Sequence, residues 1–206
     1  MLRPTSRRIP FVAVVLSALV AGCSTTKPSR FYTLNIPSEL GTGATTTMQT
    51  EYGTIGLGPV SIPQYIDRPQ IVTTEGPNRY EIAEFDRWGG VLRDDLSRTL
   101  AEDLTRLIPS ARIATHPWRR ATPVDYQVPI DVIRFDGALD KEVIFIAQWQ
   151  VLSADGNTQL LSRRSSFTEA VNGTSYDDLV AAQSRAVADL AKEIAGALGN
   201  LKKKGK

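Results

Sequence analysis

The chain has 206 residues, 42% of them hydrophobic and 22% charged, with one cysteine and one histidine. That composition fits a globular domain and excludes collagen-like, disulfide-scaffold and fully disordered chains. Its 24 basic and 22 acidic residues leave a formal charge of +2, and the excess sits at the two ends. Without residues 1–22, 21 basic side chains face 22 acidic ones; without Lys202, Lys203, Lys204 and Lys206 as well, the remainder carries −5. A reader of phosphate backbones displays a basic stripe that releases counterions, so no nucleic acid is expected as a partner.

Arg3, Arg7 and Arg8 precede an uncharged apolar run from Ile9 to Gly22. Fourteen residues span roughly 21 Å as a helix, short of a hydrocarbon core about 30 Å thick. The segment 1–22 therefore reads as a secretory signal. It ends Leu19-Val20-Ala21-Gly22-Cys23, which resembles the bacterial lipobox, where the cysteine thiol is acylated and the chain is cut just before it. Cys23 is the lone cysteine, so no intramolecular disulfide forms and an N-acyl diacylglyceryl group is the expected attachment. Two or three acyl chains hold a protein to a bilayer durably where one does not. Residue 24 is Ser; in the lipoproteins this segment resembles, Asp there signals retention in the inner membrane. The expectation is therefore a lipid-anchored protein on the periplasmic face of the outer membrane.

Beyond Cys23, residues 30–34 form a short β-like run, and 35–50, rich in Gly, Thr, Ser and Pro, read as a linker. The main domain spans 51–201. A strand over 52–62 is interrupted by Gly56, Gly58 and Pro59, which predicts a bulge or an edge position. Strands over 69–74 and 79–85 flank Glu75-Gly76-Pro77-Asn78, a hairpin turn by composition. A helix over 87–108 places Trp88, Leu92, Leu96, Leu100, Leu104 and Ile108 on one stripe, with Asp86 as its cap and Pro109 as its stop. Asp94 with Arg98 and Glu102 with Arg106 are the predicted surface pairs. Strands over 124–135, 141–153 and 159–171 follow, turning at Asp136-Gly137 and Asp155-Gly156-Asn157. Ser175-Tyr176-Asp177-Asp178 resembles a capping box with Asp for Glu and opens a last helix, ahead of the basic tail 202–206. The order β-β-β-α-β-β-β-α describes an α+β fold, two long amphipathic helices on a mostly antiparallel mixed sheet.

Chemistry-bearing motifs are few. His116 stands alone, which removes multi-histidine metal sites. Gly-x-Ser-x-Gly, His-Glu-x-x-His and the Gly-x-x-x-x-Gly-Lys-Ser/Thr loop do not occur. Asp94-Asp95, Glu102-Asp103 and Asp177-Asp178 are neighbours on helices, diverge by about 100°, and form no facing dyad. No catalytic residue, metal ligand set or cofactor is predicted.

Three blocks carry a family likeness: Phe31-Tyr32-Thr33-Leu34 shortly after the lipobox cysteine, the stretch from Ile55-Gly56-Leu57-Gly58-Pro59-Val60 through Ile62-Pro63 and Tyr65-Ile66-Asp67-Arg68-Pro69-Gln70-Ile71-Val72, and Trp88 before the leucine-striped helix. Together they resemble the ABC-type transport auxiliary lipoproteins, the paraquat-inducible protein C group. The chain departs from that pattern at Trp88-Gly89-Gly90-Val91-Leu92, where Trp-Ala-x-Pro-Leu is expected; lacking Pro, the first helical turn is less fixed. The resemblance implies a non-catalytic subunit of a lipid transport system of the mammalian-cell-entry type, docking a periplasmic tunnel protein and supporting envelope integrity. Tyr65, Ile66, Arg68 and Trp88 are the partner-facing candidates, because aromatics and Arg anchor interfaces. A bound phospholipid and a homo-oligomer stay open. So does a rival role as adaptor or pilotin for another envelope machine.

Overall fold

The computed structural model describes residues 27–38, 40, 52–118 and 122–204. The signal-like segment, Cys23, most of the 35–50 linker and the last two residues lie outside them. The observed fold is α+β: a three-stranded sheet, a five-stranded sheet and two long helices. The strands are β1 (Arg30–Tyr32), β2 (Tyr52–Ser61), β3 (Gln70–Thr74), β4 (Tyr80–Trp88), β5 (Ala111–Thr115), β6 (Tyr126–Gly137), β7 (Glu142–Ser153) and β8 (Gln159–Ala170); the helices are α1 (Leu92–Leu107) and α2 (Tyr176–Lys204).

The large sheet has the order β5-β2-β6-β7-β8. β2 runs parallel to both neighbours, while β6, β7 and β8 form an antiparallel meander. Along β7, Val143, Phe145, Ala147, Trp149 and Val151 are buried, as period-two alternation demands, and α1 and α2 cover that face. Leu96, Leu100 and Leu104 of α1 are fully buried in the same core, each contributing about 1.5–3 kcal/mol. The Gly58-Pro59 interruption is a bulge, with the β2–β6 register shifting between Leu57 and Val60. It is not an edge; β2 lies inside the sheet, and the bulge is what admits a residue without an N–H there. A second shift between Val132 and Arg134 lets Val132 and Phe135, three residues apart, both reach the core.

The small sheet has the order β1-β4-β3, with β1 parallel to β4 and β3 antiparallel to it. The Glu75–Asn78 turn closes the β3–β4 hairpin, where the Glu75 N–H donates to the Arg79 carbonyl at 2.8 Å. Beyond β1 the chain is strapped across both helices. The Leu34 N–H donates to Asp95 at 2.7 Å, Arg98 donates to the Leu34 carbonyl at 3.0 Å, and the Asn35 N–H donates to Ser184 Oγ at 3.2 Å.

Several local expectations change. α1 starts at Leu92, because Arg87 and Trp88 finish β4: the Trp88 N–H donates to the Pro69 carbonyl at 2.7 Å and the Gly89 N–H to the Tyr32 carbonyl at 2.7 Å. Gly89-Gly90 makes the break, and Trp88 matches the helical stripe only by spacing. Asp86 caps nothing; it is buried and accepts from Arg30 and Tyr32. Arg98 pairs with Asp95 and Glu102, leaving Asp94 to Arg93. β5 is an added strand, and β6 continues through Asp136 and Gly137, so that turn falls at 138–141. At the other end, Ser175 and Asp178 make both reciprocal bonds of a capping box, at 3.1 and 3.2 Å.

Candidate functional site

The segment between β2 and β3 is a tight turn begun by Pro63. The Ile66 N–H donates to the Pro63 carbonyl at 3.2 Å and the Asp67 N–H to the Gln64 carbonyl at 3.3 Å. The turn folds Ile66 inward and sends Tyr65 sideways, flat against Tyr80, with ring centroids 4.5 Å apart and planes 13° off parallel. The Tyr65 hydroxyl donates to Asp136 Oδ2 at 2.5 Å and accepts the Phe135 N–H at 3.2 Å. Arg134, two residues before Asp136 and so on the same side of β6, donates to Asp136 Oδ1 from Nε at 3.0 Å and from Nη2 at 2.8 Å.

Asp136 has no exposed side-chain surface, whereas Arg134 keeps 38% of its own. The buried carboxylate is thus satisfied by a partly exposed cation and by the hydroxyl of half-buried Tyr65. Burial, then the bond to Asp136, hold the Tyr65 hydroxyl protonated far above its ordinary range. Arg134's own bonds to Asp136 raise its guanidinium further. The cluster fastens the turn before β3 to the end of β6.

A second buried carboxylate ties β1 to β4. Arg30 Nε lies 2.8 Å from Asp86 Oδ1, and the Tyr32 hydroxyl donates to the same oxygen at 2.7 Å. Burial, followed by that bond, pushes the Tyr32 hydroxyl up to about 12. This pair faces α2, where Tyr32 and Tyr176 meet at 6.3 Å between ring centroids.

The opposite face of the small sheet is covered over β3, where Val72 is buried, and exposed over parts of β1 and β4. Gln70 lies opposite Arg87 and Val72 opposite Ile82. Gln70 and Val72 share a face, so β4 bulges between these pairs and brings Arg87 and Ile82 to one side. Phe31, opposite Arg87, and Tyr80, opposite Thr74, join them. Phe31 is 68% exposed, Tyr80 52% and Ile82 49%.

Of the four partner-facing candidates, Tyr65 is half-buried and Arg68 is exposed, while Ile66 and Trp88 belong to the hydrophobic core. Ile66 is folded under by the Pro63 turn, and Trp88 is the inward-facing last residue of β4, so neither offers surface to a partner. Cys23 lies outside the described residues. The sequence reading missed Tyr80, Ile82, Arg134 and Asp136. Strand alternation over 79–85 pairs Tyr80 with Ile82, but which side is covered depends on an element far away in the chain.

Elsewhere, a shallow depression of about 300 Å³ opens where the Gly58-Pro59 bulge breaks the β2–β6 ladder, lined by Pro59, Ser61, Pro129, Asp131 and Gln148 among others. Ser61 and Asp131 bond to each other there. His116 is exposed, edge-on to Trp118 at 5.3 Å. Among the described residues no group of three or more His, Cys, Asp or Glu could hold a metal ion, and no helix is long and apolar enough to cross a membrane.

Residues 32–195 match the family model described as "ABC-type transport auxiliary lipoprotein component". The intermembrane transport lipoprotein PqiC of Escherichia coli (strain K12) is 26% identical over 186 residues, covering 88% of this chain and 95% of the relative. The protein of the same name from Shigella flexneri matches to the same extent. Among solved structures, a protein from Xanthomonas campestris superposes with a TM-score of 0.68 at 17% identity, covering 85% of this chain and 99% of its own. That likeness supports the fold.

Proposed function

The chain belongs to the ABC-type transport auxiliary lipoprotein components, and from that premise we propose that it is the lipid-anchored outer-membrane subunit of an intermembrane lipid transport system. In this reading residues 1–22 are a signal that is removed, and Cys23 carries the acyl chains. The domain works without catalysis, as the receiver for the distal end of a periplasmic tunnel protein of the mammalian-cell-entry type. The observation that carries the reading is the position of the family match. It begins at residue 32, nine residues beyond a lone cysteine that closes a basic, then apolar, segment. Ser24 supports the outer membrane over the inner one.

The tunnel-facing surface is assigned to Arg68 and the Tyr65–Tyr80 stack. Arg68 is exposed on the turn, and a stacked aromatic pair beside guanidinium groups has the composition of an interface anchor. Two variants test the two halves. Cys23→Ala should move the protein out of the outer-membrane fraction and abolish labelling by radioactive palmitate; unchanged fractionation refutes the anchor. Arg68→Glu, which reverses an exposed charge, should weaken co-purification of the tunnel protein roughly tenfold. Full recovery of the partner with a normally folded variant refutes the assigned surface.

A further inference from the structure

We infer that the helix-free face of the large sheet carries a saccharide site, a shallow depression at the β2 bulge that takes the hydroxyl-bearing rim of a sugar ring. Neither the anchor nor the tunnel-facing surface enters into it.

Burial shows which side of the sheet that is. Ile55 and Leu57 of β2, Val128 and Ile130 of β6, and Trp149 and Val151 of β7 are buried in the core that α1 and α2 close. Their alternate neighbours therefore point away from both helices. On that side the depression of about 300 Å³ is lined by Pro59 and Pro129. The β2–β6 ladder lapses there, between Leu57 and Val60, and neither proline has an N–H with which to close it.

Register sets the polar groups of the depression in a row. Ser61 lies opposite Asp131, Asp131 opposite Gln148, and Gln148 opposite Arg164. Gln150, two residues along β7, lines the depression as well. Strands about 4.8 Å apart, and side chains about 6.8 Å apart along one strand, make a grid on the scale of the hydroxyls of one pyranose ring. A glutamine amide holds both donors and an acceptor, and so matches a hydroxyl, which gives and takes a hydrogen bond. Among the described residues neither the Gln148 nor the Gln150 amide has a partner. Asp131 and exposed Arg164 stand at either side of Gln148 and balance each other, while Arg134 is committed to Asp136. A row without net charge favours neither a phosphate nor a polycation over an uncharged polyol.

An aromatic wall adjoins the row. Trp118 covers Gly56, where an added side chain would meet the indole at 3.0 Å, and His116 lies against Gly58, next to Pro59. Trp118 is half-buried and edge-on to His116. A sugar ring is polar at its rim and apolar across its C–H faces, and an indole offers such a face an apolar partner.

The test uses the full chain in a detergent without a sugar head group, titrated with chitotetraose and with maltotetraose by calorimetry and indole fluorescence. Trp88 and Trp149 are buried, so Trp118 is the reporter. Saturable binding with a Kd of roughly 0.1–1 mM is expected, with a change in indole emission. Gln148→Ala with Gln150→Ala should weaken it about tenfold with an unchanged circular dichroism spectrum, and Trp118→Leu should lower the calorimetric affinity severalfold. Tighter binding of chitotetraose marks acetamido sugars as the ligand and tighter binding of maltotetraose marks plain hexoses; either supports the site. No saturation by either tetramer at about 10 mM overturns it. Binding that survives both variants unchanged also overturns it, as does binding of tetralysine with neither sugar, which would make Asp131 a site for cations.

Discussion

Raising the pH from about 5 to about 8 should destabilise the domain through one residue, Asp103. It lies on the buried side of α1 with no exposed surface, and neither carboxylate oxygen has a hydrogen-bond partner. Burial pushes its carboxyl up from 3.8 to about 7; Arg106 and Lys192 pull the other way, and Glu102 adds to the rise. Lys192 is committed to Asp189, 2.8 Å from its Nζ, and one helical turn before Asp103 the buried Thr99 hydroxyl is unpaired as well. The two helices pack against each other, and Ala182, Ala186, Ala188 and Ala191 of α2 are buried.

The sign follows from proton counting. Between the unfolded and folded values the folded chain holds a proton that the unfolded chain has released, so stability is complete below about 4 and falls as pH rises to about 7. A shift from 3.8 to about 7 corresponds to at most about 4 kcal/mol. Urea unfolding of the wild type and of Asp103→Asn at a series of pH values measures it, with equal m-values required for the comparison. The Asn variant should be the more stable chain at pH 8 and should lose the decline above pH 4. Its unpaired amide keeps the gain below the full figure. Parallel profiles for the two chains, within about 0.5 kcal/mol throughout, would refute the claim that this carboxyl is buried and unpaired.

Two further perturbations probe the polar groups that the core does satisfy. Ser165→Ala removes the acceptor 2.9 Å from the indole N–H of fully buried Trp149, and should cost about 1–3 kcal/mol in thermal or urea unfolding; a neutral result would show that the indole finds another partner. Arg134→Met leaves the Asp136 carboxylate buried with only the Tyr65 hydroxyl. The expected loss is roughly 2–3 kcal/mol, below that for breaking a fully buried pair because the guanidinium is 38% exposed. Adding Asp136→Asn to that variant should restore part of the loss, and failure to do so would mean that charge is not the cause.

What could be read from the sequence was whatever short-range spacing determines. The leucine stripe from Leu92 to Leu104, the Ser175–Asp178 capping box, the hairpin turn at 75–78 and the alternation of β7 each depend on residues a few positions apart, and each is present in the structure. β5 was missed because it has five residues and becomes a strand only against β2, far upstream. Trp88 was misplaced for a related reason, since a step of four to Leu92 says nothing about the two glycines between them. The candidate surface shows the same limit most sharply. Tyr65 and Ile66 are adjacent, equally plausible by composition, and separated by a turn that buries one and shelves the other on Tyr80. Phe31 and Ile82 could not be told from core residues by spacing alone: Ile82 pairs with Val72, which is buried while Ile82 stands about half exposed, so exposure on this sheet depends on what packs over each strand. Asp86, which ties β1 to β4 through Arg30 and Tyr32, likewise became legible only once those two strands, distant in the chain, had docked.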